Sequence, residues 1–222
     1  MTTETADAPR FEVVDAGALT ARQRAQVFAL FATGYRDGDA AYLDASLERL
    51  GRVVLALDGA TLVGFGLAAT RVLDLPDLPG TVVRMAGIAC VAPSHRRRHV
   101  MVQLMSHGLM HDGPGQRSLV TGRMAHPATF RMMAALPHAV PRLGVPPSPW
   151  QQAIGAAVAA AYGAHDFDPQ TFVCRGRGAP IGYPVVEIEA TPEEWALFAP
   201  VDRSRGDSLL GFAWLGDPPE GW

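Results

Sequence analysis

Three consecutive arginines, Arg96, Arg97 and Arg98, stand between His95 and His99 and lead straight into an apolar helical pattern at Val100, Leu104, Met105 and Leu109. Guanidinium groups beside a helix N-terminus hold anions well, through charge-assisted hydrogen bonds and the helix dipole. On a surface turn, taken alone, they equally fit solvated charge. His126, beside Pro127 where the chain leaves a strand, has the side chain for proton transfer near neutral pH, and a helix-capping histidine fits the same pattern. His107 and His111, like His95 and His99, are spaced i, i+4 as a metal pair on a helix would be. No third ligand stands near them, and solvent-facing rings fit better. Asp166, Asp168 and Glu187 offer late carboxylates for a cationic amine or for turns. Met124, Met132 and Met133 offer pocket walls or core filling. Cys90 and Cys174 lack zinc spacing and are too few for a disulfide framework, so buried thiols are the plain reading.

The elements that position these groups alternate between strand and helix. Phe11 to Val14 reads as a strand, Leu19 to Tyr35 as a helix started by Thr20, and Asp39 to Leu50 as a helix ended by Gly51. Asp58-Gly59, between Val53 to Leu57 and Thr61 to Ala69, is a hairpin signal. Pro76, Pro79 and Gly80 break the chain before a central strand over Thr81 to Val91, which Pro93 stops. A helix over Val100 to His111 follows, Gly113, Pro114 and Gly115 end it, and Ser118 to Thr121 begins the next strand. This βαβ order places the arginine turn at the carboxyl end of a strand. Pro127 to Leu136 reads as a short helix, Pro137 to Pro149 as an extended connection, and Trp150 to Tyr162 as a further helix. Thr171 to Arg175 and Val185 to Ile188 read as late strands, with Trp195 and Trp214 finishing the core.

A chain of 222 residues, 48% hydrophobic and 18% charged, can bury a sizeable core. Neither a repeat nor a domain boundary interrupts it. The expectation is one domain over residues 1–222, with a core over 11–136 and an extension of helix and strand over 137–222. Met1 to Arg10 is polar rather than secretory, and Ile154 to Tyr162 is too short to span a bilayer, so a cytoplasmic protein without membrane contact is expected. A net charge of −3 gives no global polyanion signal. All 19 basic residues are arginine, so no lysine is present to form a Schiff base.

The run Val91-Ala92-Pro93-Ser94-His95-Arg96-Arg97-Arg98-His99-Val100-Met101, followed by Leu104-Met105, resembles the donor-binding turn of the GNAT acetyltransferases. In that family a strand ending in valine leads into Arg/Gln-x-x-Gly-x-Gly/Ala and a helix. The order of elements from Phe11 to Leu136 is also similar, and the triplet after His95 resembles aminoglycoside acetyltransferases of the enhanced-intracellular-survival type. The resemblance implies an α/β fold: a mixed α+β sheet with splayed central strands and a C-terminal extension. It implies an acetyl-CoA or other acyl-CoA cosubstrate at Val91, Arg96, Arg97, Arg98, His99, Val100 and Met101, and no metal. It also implies direct acyl transfer between Ala86 to Val91 and Ser118 to Arg123, with N–H groups at Cys90 or Val91 on the developing oxyanion.

The sequence departs from the family at His99 and Met101, which replace glycines. His126 and Phe130 stand where the family has a pantetheine-contacting asparagine and a proton-donating tyrosine. Phenylalanine donates no proton, which leaves His126, the Cys90 thiol or a water for that step. Three activities fit. The first is an N-acyltransferase moving a small acyl group from acyl-CoA to an amine of a small molecule. The second is a transferase of the same fold using an aminoacyl-tRNA or an acyl-carrier protein as donor, in keeping with the lost glycines and with Arg84, Arg96 to Arg98, Arg117, Arg123, Arg131 and Arg142. The third is a catalytically inactive ligand-binding module. An exposed late strand would allow a homodimer.

Overall fold

A tight turn around Gly59, at φ 57°, reverses the chain between two apolar strands, and from that hairpin an eight-stranded mixed sheet is built outward in both directions. The computed structural model describes residues 8–36, 38–113, 117–176, 183–184 and 188–222. Strand β1 (Arg10–Asp15) precedes helix α1 (Ala21–Gly34), the two-residue β2 (Tyr35–Arg36) and α2 (Ala40–Leu50). The hairpin strands are β3 (Arg52–Asp58) and β4 (Thr61–Leu75), followed by β5 (Leu78–Val91), α3 (Val100–Leu109), β6 (Ser118–Met124) and α4 (Pro127–Ala134). The later chain gives α5 (Pro149–Ala161), the short β7 (Phe167–Asp168), β8 (Val173–Cys174) and β9 (Tyr183–Pro184), then α6 (Pro192–Leu197) and β10 (Ser208–Leu215). Strand order is β1-β3-β4-β5-β6-β10-β8-β7, with β2 and β9 paired apart from the sheet. Every neighbouring pair is antiparallel except β5 and β6, which α3 connects by a crossover.

Local chemistry sets the helix ends. Thr20 and Gln23 form a reciprocal capping box on α1, the Asp39 carboxylate caps α2, and Gly51 ends α2 in the left-handed region at φ 74°. The two faces of the sheet differ in bulk. Gly64 and Gly66 let α3 lie close: a Cβ at Gly66 would sit 2.7 Å from Met105 and one at Gly64 3.1 Å from Leu104. On the other face α1, α2 and α5 bury Val27, Phe31, Leu43, Leu47, Ile154 and Val158 against the large side chains of Val53, Leu55, Phe65 and Leu67. Fully burying one such side chain is worth about 1.5–3 kcal/mol.

Three expectations need correcting. The break expected at Pro76, Pro79 and Gly80 is the tip of a long β4–β5 hairpin, where Leu75 pairs with Leu78, and β5 starts at Leu78 rather than at Thr81. Pro79 is tolerated there because β5 meets β6 only from Val83 onward. The later chain holds a central strand, β10, which pairs with β6 along its length. Its run Leu209 to Trp214 is apolar without alternation and so carries no strand period. Trp214 is buried in the core, whereas Trp195 lies 36% exposed on α6. The expected strand over Thr171 to Arg175 shrinks to β8, and the one starting at Val185 falls on 185–187, outside the described residues. Among the described residues no helix is long and apolar enough to cross a membrane.

Candidate active site

The parallel pairing of β5 with β6 runs from Val83–Leu119 to Ala86–Gly122 and stops, although both strands continue. The cause lies on the other side of β5. Against β4, Gly66 pairs with Ala89 and Ala68 with Ala86, so Gly87 and Ile88 together oppose Leu67. Such a bulge bends its strand and ends pairing locally. Gly87 is required by space: a Cβ there would lie 2.1 Å from the Leu50 side chain and 3.0 Å from that of Leu67. The fork opens a cavity of about 720 Å³ that reaches from Tyr42, Ser46 and Arg49 of α2 to Arg96, Arg97 and His99 before α3.

Parted strands leave backbone groups without ladder partners, and burial makes that costly. Tyr162, the residue after α5, fills the apex. Its hydroxyl lies 2.8 Å from the Ala86 carbonyl and 2.9 Å from the Thr121 carbonyl, sharing one proton between the two strands. Further along β5, the Tyr35 hydroxyl donates to the Ala89 carbonyl at 3.0 Å, and Arg96 Nε donates to the Val91 carbonyl at 3.3 Å. A strand residue's N–H and C=O point the same way, and the Ala92 N–H turns to Val63 of β4. The N–H groups of Ala89 and Val91 therefore face the fork beside carbonyls already taken. An edge that offers donors with its acceptors capped suits a developing oxyanion. Of the two amides expected from sequence, that of Val91 faces the fork and that of Cys90 faces β4.

Burial first, with Cys90 and Tyr42 adding, holds the Tyr35 phenol protonated well above its ordinary range; burial does the same for Tyr162, with Cys174 and Tyr42 adding. Tyr42 itself lines the cavity, and its hydroxyl has no hydrogen-bond partner among the described residues.

At the α3 end the turn keeps a glycine-like backbone without glycines. Arg97 and His99 sit at φ 62° and 59°, a conformation that costs an L-residue about 1–2 kcal/mol. His99 is the N-cap of α3 with no side-chain cap bond, and the first intrahelical bond runs from the Gln103 N–H to the His99 carbonyl at 3.1 Å. The first-turn N–H groups of Val100, Met101 and Val102 thus point out of the helix end. No acidic residue lies in that turn, so Arg96, Arg97 and Arg98 add positive charge to a positive dipole end, an arrangement an anion relieves. Met101 is an ordinary helical residue, and its side chain takes space rather than strain. Val91, Arg96, Arg97, His99, Val100 and Met101 all line the cavity, and Arg98 does not.

The two candidate proton carriers differ in place. His126 is not part of the cavity wall: its Nδ1 accepts the Ala128 N–H at 3.1 Å as the cap of α4, and its ring meets Trp195 edge-on at 5.1 Å. Burial, then Arg203 and Arg131, lower its pKa, which favours the neutral ring, and the bond accepted at Nδ1 leaves Nε2 as the nitrogen to carry its proton. Cys90 does line the cavity, but burial lifts its thiol to about 11 and the S–H is directed at the Leu30 carbonyl 3.5 Å away. Phe130 is core, packed on Phe198 at 6.1 Å.

Met124, Met132 and Met133 line the cavity. His107 stacks on Phe11 at 5.1 Å and His95 faces the Asp58 carboxylate at 3.4 Å. The Asp166 carbonyl and the Asp168 carboxylate accept N–H groups within one loop, and Glu187 falls outside the described residues. Among the described residues no group of His, Cys, Asp and Glu fits a metal ion. Several arginines expected at a phosphate surface have internal partners instead. Arg84 is buried on Ser118 and the Leu109 and Gly113 carbonyls, Arg117 lies over Trp214, and Arg131 pairs with Glu194. Sequence reasoning missed Tyr42, Ser46 and Arg49, whose i, i+4, i+7 spacing marks one face of α2.

Residues 16–119 match the family model described as an acetyltransferase (GNAT) domain. No curated protein matches the sequence. Among solved structures, the chain is similar to a GNAT family N-acetyltransferase from Escherichia coli in complex with CoA, at 18% identity over 61% of this chain and 74% of that one, TM-score 0.44. It is similar to an IAA acetyltransferase from Bacillus cereus, at 12% identity over 56% and 71%, TM-score 0.41. It is also similar to an aminoglycoside acetyltransferase from an uncultured soil metagenomic sample, at 15% identity over 44% and 65%, TM-score 0.33. The chain thus spans 65% of the length of that last relative.

Proposed function

From the match of residues 16–119 to a GNAT acetyltransferase domain, we propose that the protein is an N-acyltransferase moving an acetyl or other small acyl group from acyl-CoA to an amine of a small molecule. The observation that carries this reading is the fork. A bulge at Gly87 and Ile88 parts β5 from β6, and the resulting cavity also takes in the open N-terminal turn of α3. The left-handed His99 supports CoA as donor, because the turn keeps the backbone path that lets first-turn amides reach a pyrophosphate. Arg96 and Arg97 add charge there.

In this reading the thioester lies along β5 and the Val91 or Ala89 N–H receives its carbonyl oxygen as the neutral amine attacks the carbon. The C–N bond forms, the C–S bond breaks, and the amide product and CoA thiolate separate. Tyr42 supplies the proton that the thiolate takes up, in place of the phenol that Phe130 lacks, and the proton lost by the amine returns to Tyr42 through water. Cavity position and a hydroxyl without a partner among the described residues favour Tyr42 over His126 and Cys90 for this part.

Thermal unfolding with and without acetyl-CoA and desulfo-CoA tests the donor. A ligand at 100 times its Kd adds about 2.7 kcal/mol of stability, so a rise of several degrees is expected, and no shift with either would sink the proposal. Tyr42→Phe should lower kcat about 10- to 100-fold with little change in the KM for acetyl-CoA. Unchanged kcat would remove Tyr42 from the mechanism.

A further inference from the structure

The wall of the cavity beyond the fork is cationic. Among the described residues no aspartate or glutamate lines it, while Arg49 and Arg123 do, on the side opposite α3. Arg123 stands on β6 one residue past the last rung shared with β5 and pairs with Leu210 of β10. It lies on the face where Phe212 packs against Phe172. Its Nε donates to the Ser208 hydroxyl at 3.0 Å, which fixes the plane of the guanidinium and leaves both terminal amino groups without partners among the described residues. Among the described residues Arg49 is held in turn by one side-chain bond, from Nη1 to the Tyr162 carbonyl at 2.8 Å. Arg49 thus holds the Tyr162 carbonyl, and the Arg123 charge acts on the Tyr162 phenol, so both stand beside the residue at the apex of the fork. Around them Leu50, Met124, Met133 and Leu136 give apolar walls, with the Ser46 hydroxyl among them.

Two half-buried guanidinium groups with spare donors, in a wall with no carboxylate among the described residues, repel a polycationic acceptor and bind an anion. Resting on the acyltransferase reading, we propose that the acceptor is an amine carrying its own carboxylate next to an apolar side chain, of the apolar or aromatic amino-acid type, and that Arg123, seconded by Arg49, selects it by binding that carboxylate. The arginines at the α3 turn serve the donor. Those at the apex serve the acceptor, and they place its amine at the β5 edge where the thioester carbonyl lies.

The test uses the full chain, acetyl-CoA and a matched panel: phenylalanine, phenylalanine amide, phenethylamine, an aminoalkyl phosphonate with the same ring, and a polycationic aminoglycoside. Phenylalanine should exceed its amide and phenethylamine in kcat/KM by about 10- to 100-fold, with the aminoglycoside poorest. Arg123→Gln should erase the advantage over the amide while leaving the thermal shift with CoA unchanged. Arg49→Gln should reduce it, as a second variant if Arg123→Gln folds poorly. Should turnover be absent, the same order is read from the further rise in melting temperature when each amine is added to CoA-loaded protein. A phosphonate equal to the amino acid keeps the anion site and removes its preference for carboxylate. Preference for the neutral or polycationic amines, or a carboxylate preference that survives in Arg123→Gln, overturns the proposal. Absence of any CoA-induced shift instead overturns the acyltransferase reading beneath it.

Discussion

His126 shows how one side chain fits two patterns in a sequence and only one in a fold. Its type and its place beside Pro127 were compatible with a proton carrier and with a helix cap, and the structure seats its Nδ1 on the Ala128 N–H. A lone pair so used cannot also be protonated, and burial already lowers the pKa below its ordinary value near 6.5. A histidine with a depressed folded pKa contributes its full stability above the unfolded value. It loses that contribution as pH falls from about 6.5 through the folded value, because the unfolded chain then binds the proton more tightly. Asparagine is a good N-cap and does not titrate. His126→Asn should therefore flatten the loss of melting temperature below about pH 6.5 while leaving the pH profile of kcat/KM in place. A profile that lost a limb in the variant would restore His126 to the chemistry. The residues that sequence reading missed, Tyr42, Ser46 and Arg49, were hidden for a different reason: their spacing marks one face of α2, but what gives that face its importance is what α5 and β5 bring against it.

The elements up to α4 were legible because their signals are local: the capping box at Thr20, the left-handed Gly51, the tight turn at Gly59 and the amphipathic α3. The turn before α3 was legible as a turn although it lacks the glycines of the motif it resembles. His99 adopts the conformation that glycine would have taken, so the path of the chain is dictated by β5 and α3 on either side. That path stores strain. His99→Gly should raise stability by about 0.5–1 kcal/mol, or roughly 1–4 °C in Tm for a chain of this size. It should also tighten CoA binding by uncovering the amides. A lower Tm would show that the His99 ring contributes more than its backbone costs. What could not be read was β10, since a fully buried strand without alternation has no period, and β8, which is only two residues long.

The molecule as a whole depends on its later chain to finish a site begun earlier. The domain match ends at residue 119, inside β6. Beyond it lie Arg123, the wall methionines Met124, Met132 and Met133, Ser208 and Tyr162. Removing the hydroxyl in Tyr162→Phe leaves the Ala86 and Thr121 carbonyls buried and unpaired, which should cost about 1–3 kcal/mol of unfolding free energy with an unchanged denaturant slope. An unaltered midpoint would mean that water takes the place of the phenol. The shared proton at the apex also gives the fork compliance. Either strand can drift outward while the other keeps the hydrogen bond, so a small widening trades one neutral bond, about 1 kcal/mol, and leaves the ladder below Ala86 intact. On the proposed reading, a bulky thioester would be admitted by elastic parting of two strand ends, with the sheet beneath acting as the spring that closes them again.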